Sequence, residues 1–228
     1  MENTIRCITF DLDDTLWECA PAIYRAEQRF YQWLTEHYPR ISAEFSPKAL
    51  IEHRQDFMRD KTDLMHNLTQ LRKLWLAELA VLADYDSALI EPGFRVFWEA
   101  RNDVELFDHV EDTLESLRQH YTIGAISNGN ADVNFIGIGH LFDFAVNSEQ
   151  AGKAKPDKKI FNLAADTAGV SVVQILHVGD DKNTDVLGAL HAGAKAAWVT
   201  ENPSEWEHHL EPHFIISHVS ELVSLLIR

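Results

Sequence analysis

The chain has 228 residues, 46% of them hydrophobic, and a formal net charge of −16 at pH 7. That length holds one large domain or two unequal ones with a substantial core. The acidic balance argues against a groove that tracks nucleic-acid phosphates, which needs clustered Lys and Arg, and against docking on an anionic membrane surface. A small phosphorylated ligand stays open, because one local cation overrides the global field.

No apolar run approaches the ~18 residues that span a bilayer. The start of the chain has neither the basic nor the apolar region of a signal peptide. Two cysteines, Cys7 and Cys19, make no disulfide framework, and a reducing cytoplasm is the expected location.

In chain order, residues 5–10 read as a strand: Ile5, Cys7, Ile8 and Phe10 are apolar and short of any helical period. It ends in three carboxylates, Asp11, Asp13 and Asp14, which place a crowded negative cluster just beyond a strand end. In open α/β sheets that edge binds ligands, and such a cluster calls for a cation. From residue 20 to about 102 the period is helical. Ile23, Ala26, Phe30, Trp33 and Leu34 form one stripe, closed by Pro39; Ser46-Pro47 opens a second helix. Leu64, Leu68, Leu71, Trp75, Leu79 and Leu82 form the strongest helix, and residues 88–101 a fourth, broken at Pro92-Gly93. The aromatic residues here suit a bundle core, with one or two open to a pocket for a planar group.

Residues 110–120 read as a helix and 121–126 as a strand, followed by the turn Ser127-Asn128-Gly129-Asn130, whose N–H groups can face an anion. A short strand at 144–147 leads to Lys153 and Lys155-Pro156, either lysine able to meet an anion, with Asp157 capping a helix over 158–168. The strand at 173–178 runs into Gly179-Asp180-Asp181 and, four residues on, Asp185. A small-residue helix over 186–194, strands at 196–199 and 214–216 and a terminal helix at 219–227 complete the chain. His208, His209, His213 and His218 read as a solvated surface. Alternating strands and helices predict an α/β fold with a doubly wound, mostly parallel sheet.

Asp11-Leu12-Asp13-Asp14-Thr15 after a hydrophobic strand, Ser127, Lys155-Pro156, and Gly179-Asp180 with Asp185 resemble, in order, the four motifs of the haloacid dehalogenase-like (HAD) hydrolase superfamily. The resemblance implies a Rossmann-like catalytic core at residues 1–15 and 103–228, with an inserted all-helical cap at 16–102. It implies a Mg²⁺-dependent phosphatase acting through an aspartyl-phosphate, with Asp11 as nucleophile and Asp13 as general acid and base. Mg²⁺ would be held by the Asp11 and Asp180 carboxylates and the Asp13 backbone carbonyl. Ser127, Asn128 and Lys155 would hold the phosphate, with Thr15, Asp181 and Asp185 in support. Dehalogenase members lack a carboxylate at the Asp13 position, so Asp13 favours P–O cleavage. Size, cap length and the Ser-Asn-Gly turn are similar to the bacterial branch that dephosphorylates FMN or a phosphorylated riboflavin precursor. The expected partner is a small phosphorylated metabolite, without nucleic acid or membrane, and the expected assembly a monomer or homodimer. A dehalogenase, a phosphomutase, a receiver-like phospho-acceptor module and a silent phosphometabolite binder are the alternatives.

Overall fold

In the computed structural model, residues 4–227 are described, and the chain separates into two compact units. One takes the chain up to Glu18 and from Glu105 onward; the other is Cys19–Val104. The divisions fall slightly later than the sequence places them. Trp17 is fully buried in the first unit, bridging in backbone register to Asp13 and Leu106, whereas the Asp103 carbonyl accepts from Arg25 (2.6 Å) within the second.

Strand β1 (Cys7–Phe10) opens the first unit. The helical unit follows with α1 (Cys19–His37), α2 (Pro39–Glu44), α3 (Pro47–Arg59), α4 (Leu68–Leu82) and α5 (Ile90–Arg101). Its core gathers Phe30, Leu34, Trp75, Leu79 and Phe97. Ser46 caps α3 as its sequence suggests, accepting from the Ala49 N–H (3.2 Å). Pro39 closes α1 as expected, and it also opens α2, since a proline at the first helical position forfeits no needed N–H. Two expectations need correction. Leu64 lies in a separate 3₁₀ turn, because Asn67 caps α4 by accepting from Gln70 N–H (2.8 Å). Pro92-Gly93 does not break α5: the pair sits in its first turn, where proline is tolerated. Gly93 is needed there for packing, since a Cβ would press on the Trp33 ring at 3.0 Å.

The first unit continues with α6 (Val110–Arg118), β2 (Thr122–Ser127), α7 (Val133–Ile136), β3 (Phe144–Asn147), α8 (Ser148–Ala151), α9 (Lys158–Ala168), β4 (Ile175–Gly179), α10 (Gly188–Ala192), β5 (Lys195–Val199), β6 (Phe214–Ile216) and α11 (Glu221–Leu226). All six strands are parallel, in the order β3-β2-β1-β4-β5-β6. This is a Rossmann-like sheet. The chain winds outward one way from β1 through β2 and β3, and the other way through β4 to β6. The crevice beyond the carboxyl ends of β1 and β4 is therefore the topological switch point. Two local differences matter. Residues 172–174 form a 3₁₀ turn, so β4 starts at Ile175. Residues 182–187, partly assigned to a regular helix from sequence, form a π-helical turn before α10. Cys7, as expected, is a buried apolar residue; burial pushes its thiol up to about 12.

Candidate active site

The site starts from two strand ends. Asp11 N–H donates to the Val178 carbonyl (2.8 Å), which ties the turn after β1 to β4. The chain then folds tightly: Leu16 N–H returns to the Leu12 carbonyl (2.9 Å), and Asp14 adopts a left-handed φ of 60°. Asp residues tolerate that conformation better than most. Asp13 is held by its near neighbour Trp17, whose Nε1–H donates to its carboxylate (2.9 Å). Thr15, buried, reaches across to β4 and donates to Asp180 Oδ1 (3.1 Å). The Asp180 carbonyl in turn accepts from Trp198 Nε1 on β5 (2.8 Å).

Asp11, Asp180 and Asp185 bring carboxylate oxygens within 4.8 Å of one another. Into this cluster projects Lys155, 4% exposed, from the loop before α9. Its ammonium pairs with Asp11, with Asp185 (2.6 Å) and with the Ile126 carbonyl at the end of β2 (2.8 Å). Lys153 makes none of these contacts in the cluster, so geometry separates the two lysines where spacing left both open. Asp185 rides on the π-helical turn. Gly179 admits it: a Cβ at that position would overlap the Asp185 carboxyl group.

The electrostatics follow from burial and crowding. Burial raises the Asp11 carboxyl well above the usual range, and Asp185 adds to the rise despite the Lys155 ammonium. Burial and the nearby Asp185 charge push Asp180 up to about 6. Burial also works against the Asp185 charge, but Lys155 and His177 outweigh it and hold its carboxyl low. Lys155 is held above the ordinary lysine range because Asp11 and Asp185 overcome its desolvation. Three carboxyl groups and one ammonium give the cluster an acidic surplus, which burial and crowding push toward protonation. A hard, all-oxygen, net-negative donor set suits a divalent cation such as Mg²⁺.

The turn after β2 is organised differently from its sequence reading. Ser127 is buried and accepts from the Gly129 N–H (2.9 Å), leaving its hydroxyl proton to donate. Asn128 is engaged at both ends of its amide: it donates to the Lys155 carbonyl (3.0 Å) and accepts from the Lys155 N–H (2.6 Å). It ties the two loops together. Asp181 is likewise occupied as a cap, accepting from the N–H groups of Asn183 (2.8 Å) and Thr184 (2.7 Å). His177, Trp17 and Trp198 were not singled out from the sequence, although all three hold site residues. An ionisable residue inside an otherwise apolar strand, Ile-Leu-His-Val, was the one signal that pointed to His177.

A family model described as haloacid dehalogenase-like hydrolase matches residues 5–193. The chain belongs to that family. Among similar HAD proteins is 5-amino-6-(5-phospho-D-ribitylamino)uracil phosphatase YigB of Escherichia coli (strain K12), 31% identical over 97% of this chain and 96% of its own. Glyceraldehyde 3-phosphate phosphatase of Methanothermobacter thermautotrophicus is 26% identical over 97% of this chain and 100% of its own. Among solved structures, a 2-haloacid dehalogenase from Pseudomonas syringae pv. Tomato DC3000 aligns with a TM-score of 0.90 and 37% identity, covering 98% of both chains. The HAD motifs expected from sequence, on Asp11, Lys155, Asp180 and Asp185, thus lie in one cluster at the switch point of the sheet.

Proposed function

We propose that this HAD protein is a phosphatase that hydrolyses a small phosphomonoester through an aspartyl-phosphate on Asp11. The observation that carries this reading is the buried Lys155 ammonium, shared by Asp11 and Asp185 within the carboxylate cluster at the β1 and β4 ends. It is a cation placed against the group that must meet an anion.

In the first step an Asp11 carboxylate oxygen attacks phosphorus and the ester P–O bond breaks. Asp13, acting as general acid, gives a proton to the departing alkoxide oxygen. In the second step Asp13 takes a proton from water, whose oxygen attacks the aspartyl-phosphate; phosphate leaves and the Asp11 carboxylate is restored. Lys155 and the Ser127 hydroxyl bind the phosphoryl oxygens. Asn128 positions Lys155 through the backbone bonds described above rather than touching the phosphate itself. Thr15 and Asp181 hold the turns, and Asp185 anchors Lys155. Mg²⁺, held by the Asp11 and Asp180 carboxylates and the Asp13 backbone carbonyl, would neutralise charge where two anions meet. The helical unit serves as the cap that selects the substrate.

The substrate we assign is 5-amino-6-(5-phospho-D-ribitylamino)uracil, on the support of the E. coli relative named for that ester and similar over nearly the whole chain; FMN is the alternative that the sequence resemblance implies. Incubation with p-nitrophenyl phosphate and Mg²⁺, then with a panel including FMN and the ribitylaminouracil phosphate, tests both levels. Release of inorganic phosphate is expected, with the flavin-related esters preferred; a folded protein that releases none refutes the phosphatase reading.

A second reading, 2-haloacid dehalogenase, is favoured by the name of the Pseudomonas relative. Asp13 argues against it, since a halide leaves without needing a proton. Halide release from 2-chloropropionate without phosphate release from any ester would reverse the choice.

A further inference from the structure

His177 lies in the middle of β4, side chain fully enclosed, with the Phe161 ring edge-on at 5.2 Å. It touches no atom assigned above to the reaction, yet it joins two elements of the site. Its Nε2 lies 3.1 Å from Asp185 Oδ1, and its Nδ1 2.9 Å from the Thr9 hydroxyl on β1. The Asp185 carboxylate can only accept, so Nε2 carries the ring hydrogen. Nδ1 then presents a lone pair, and the Thr9 hydroxyl donates to it. The same Asp185 oxygen receives the Lys155 ammonium at 2.6 Å. The other receives the Asp181 N–H at 3.1 Å.

The connections form one directed chain: Thr9 hydroxyl to His177, His177 to Asp185, and Lys155 held between Asp185 and Asp11. Lys155 is a long, flexible side chain that could reach either carboxylate in several ways. A fixed Asp185 removes that freedom. Without the His177 donor, Asp185 keeps one backbone bond and can rotate about it, taking the ammonium with it.

We propose that His177 is a positioning residue: as a neutral Nε2–H imidazole fixed by Thr9, it orients Asp185 and through it places the Lys155 ammonium against Asp11. The kinetic part of this inference rests on the phosphatase reading; the placement of Lys155 does not. Groups that orient an active-site residue from behind are worth about 10- to 100-fold in activity when removed.

Two substitutions separate orientation from bulk. His177→Gln keeps an amide N–H near the Nε2 position, whereas His177→Asn is too short to reach Asp185. The full-length protein, ¹⁵N-labelled, is examined at neutral pH by a spectrum selective for lysine ammonium groups, alongside thermal unfolding and p-nitrophenyl phosphate kinetics with Mg²⁺. A protected Lys155 ammonium signal, identified by its loss in Lys155→Met, is expected in the native protein and in His177→Gln, and is expected to broaden away in His177→Asn. In kinetics, His177→Asn is expected to lose about 10- to 100-fold in kcat/KM and His177→Gln to recover most of it. If both variants lose the signal equally, or His177→Asn retains it, the proposal is overturned. A wild-type protein without phosphatase activity would sink the phosphatase reading and leave the ammonium spectrum to decide on His177. If His177→Asn does not fold, Thr9→Val, close in shape and lacking only the hydroxyl, takes its place; an unchanged Lys155 signal there overturns the proposal.

Discussion

Each unit of this protein buries a cluster of charges, and the two are built with opposite surpluses. In the α/β unit three carboxyl groups, Asp11, Asp180 and Asp185, cluster together, and one ammonium, that of Lys155, pairs with Asp11 and Asp185. In the helical unit two guanidinium groups, Arg54 and Arg72, converge on one oxygen of Glu27; Arg72 lies 3.1 Å from it. The positive surplus has aromatic faces to rest on. The Arg72 guanidinium carbon stands 3.1 Å from the Phe97 ring centroid, and Trp75 lies 5.8 Å from Arg72 and 6.0 Å from Arg54. Burial and the neighbouring Arg54 still lower Arg72 to about 9, against the pull of Glu27. The negative surplus has no such support, since aromatic faces repel anions. One cluster is closed by its own surroundings; the other keeps an acidic surplus that a divalent cation would complete. That difference separates a structural charge cluster from a chemical one.

The comparison breaks most sharply at Asp11. Asp11→Asn should lower turnover of p-nitrophenyl phosphate by at least about 10³-fold, as loss of a nucleophile does. The unfolding midpoint should not fall, because the substitution removes a crowded carboxylate. Activity near wild type would remove Asp11 from the chemistry. Second in size, Glu27→Gln should destabilise the protein by about 3–5 kcal/mol in urea unfolding, since it leaves two buried guanidinium groups uncompensated. Arg72→Met should cost less than half as much, because Glu27 and Arg54 then pair one to one. Equal losses would show that the helical cluster carries no positive surplus.

A third test addresses the cation. EDTA should abolish phosphate release and added Mg²⁺ restore it. Metal-free protein bears the cost of an ionised Asp180 above about pH 6 and sheds it as the pH falls toward the ordinary carboxylate range. Mg²⁺ should therefore raise the unfolding temperature more at about pH 7.5 than at about pH 5. An equal rise at both would remove Asp180 from the cation site. The smallest effect is expected at Asp181→Asn, which keeps an oxygen for the N–H groups of Asn183 and Thr184 and should change kcat/KM by less than about threefold. A large loss would mean that Asp181 does more than cap its turn.

Much of the catalytic unit was legible in the chain because its chemistry is local in sequence. Hydrophobic strands that stop at Asp11 and at Gly179-Asp180 mark the site before any fold is known, since carboxylates end a ladder and crowd where the strand ends. Ser46-Pro47 marked the start of α3 for a similar reason: a cap is a short-range bond. The helical charge cluster left no such mark. Glu27, Arg54 and Arg72 stand on three helices, α1, α3 and α4, and each alone reads as a surface residue on an amphipathic stripe. The π-helical turn that carries Asp185 left no mark either, and neither did the close approach of Asp185 to Gly179, whose missing Cβ leaves room for the carboxyl group.

By itself the sequence determined the alternation of strands and helices, the acidic strand ends and the family to which they belong, because each is encoded in residues near one another along the chain. Tertiary structure alone decided that Asn128 and Asp181 spend their side chains on holding loops, and that His177 stands behind Asp185. Those outcomes depend on which hydrogen-bonding groups meet across β1, β2 and β4 once the sheet has closed, and no spacing along the chain specifies that.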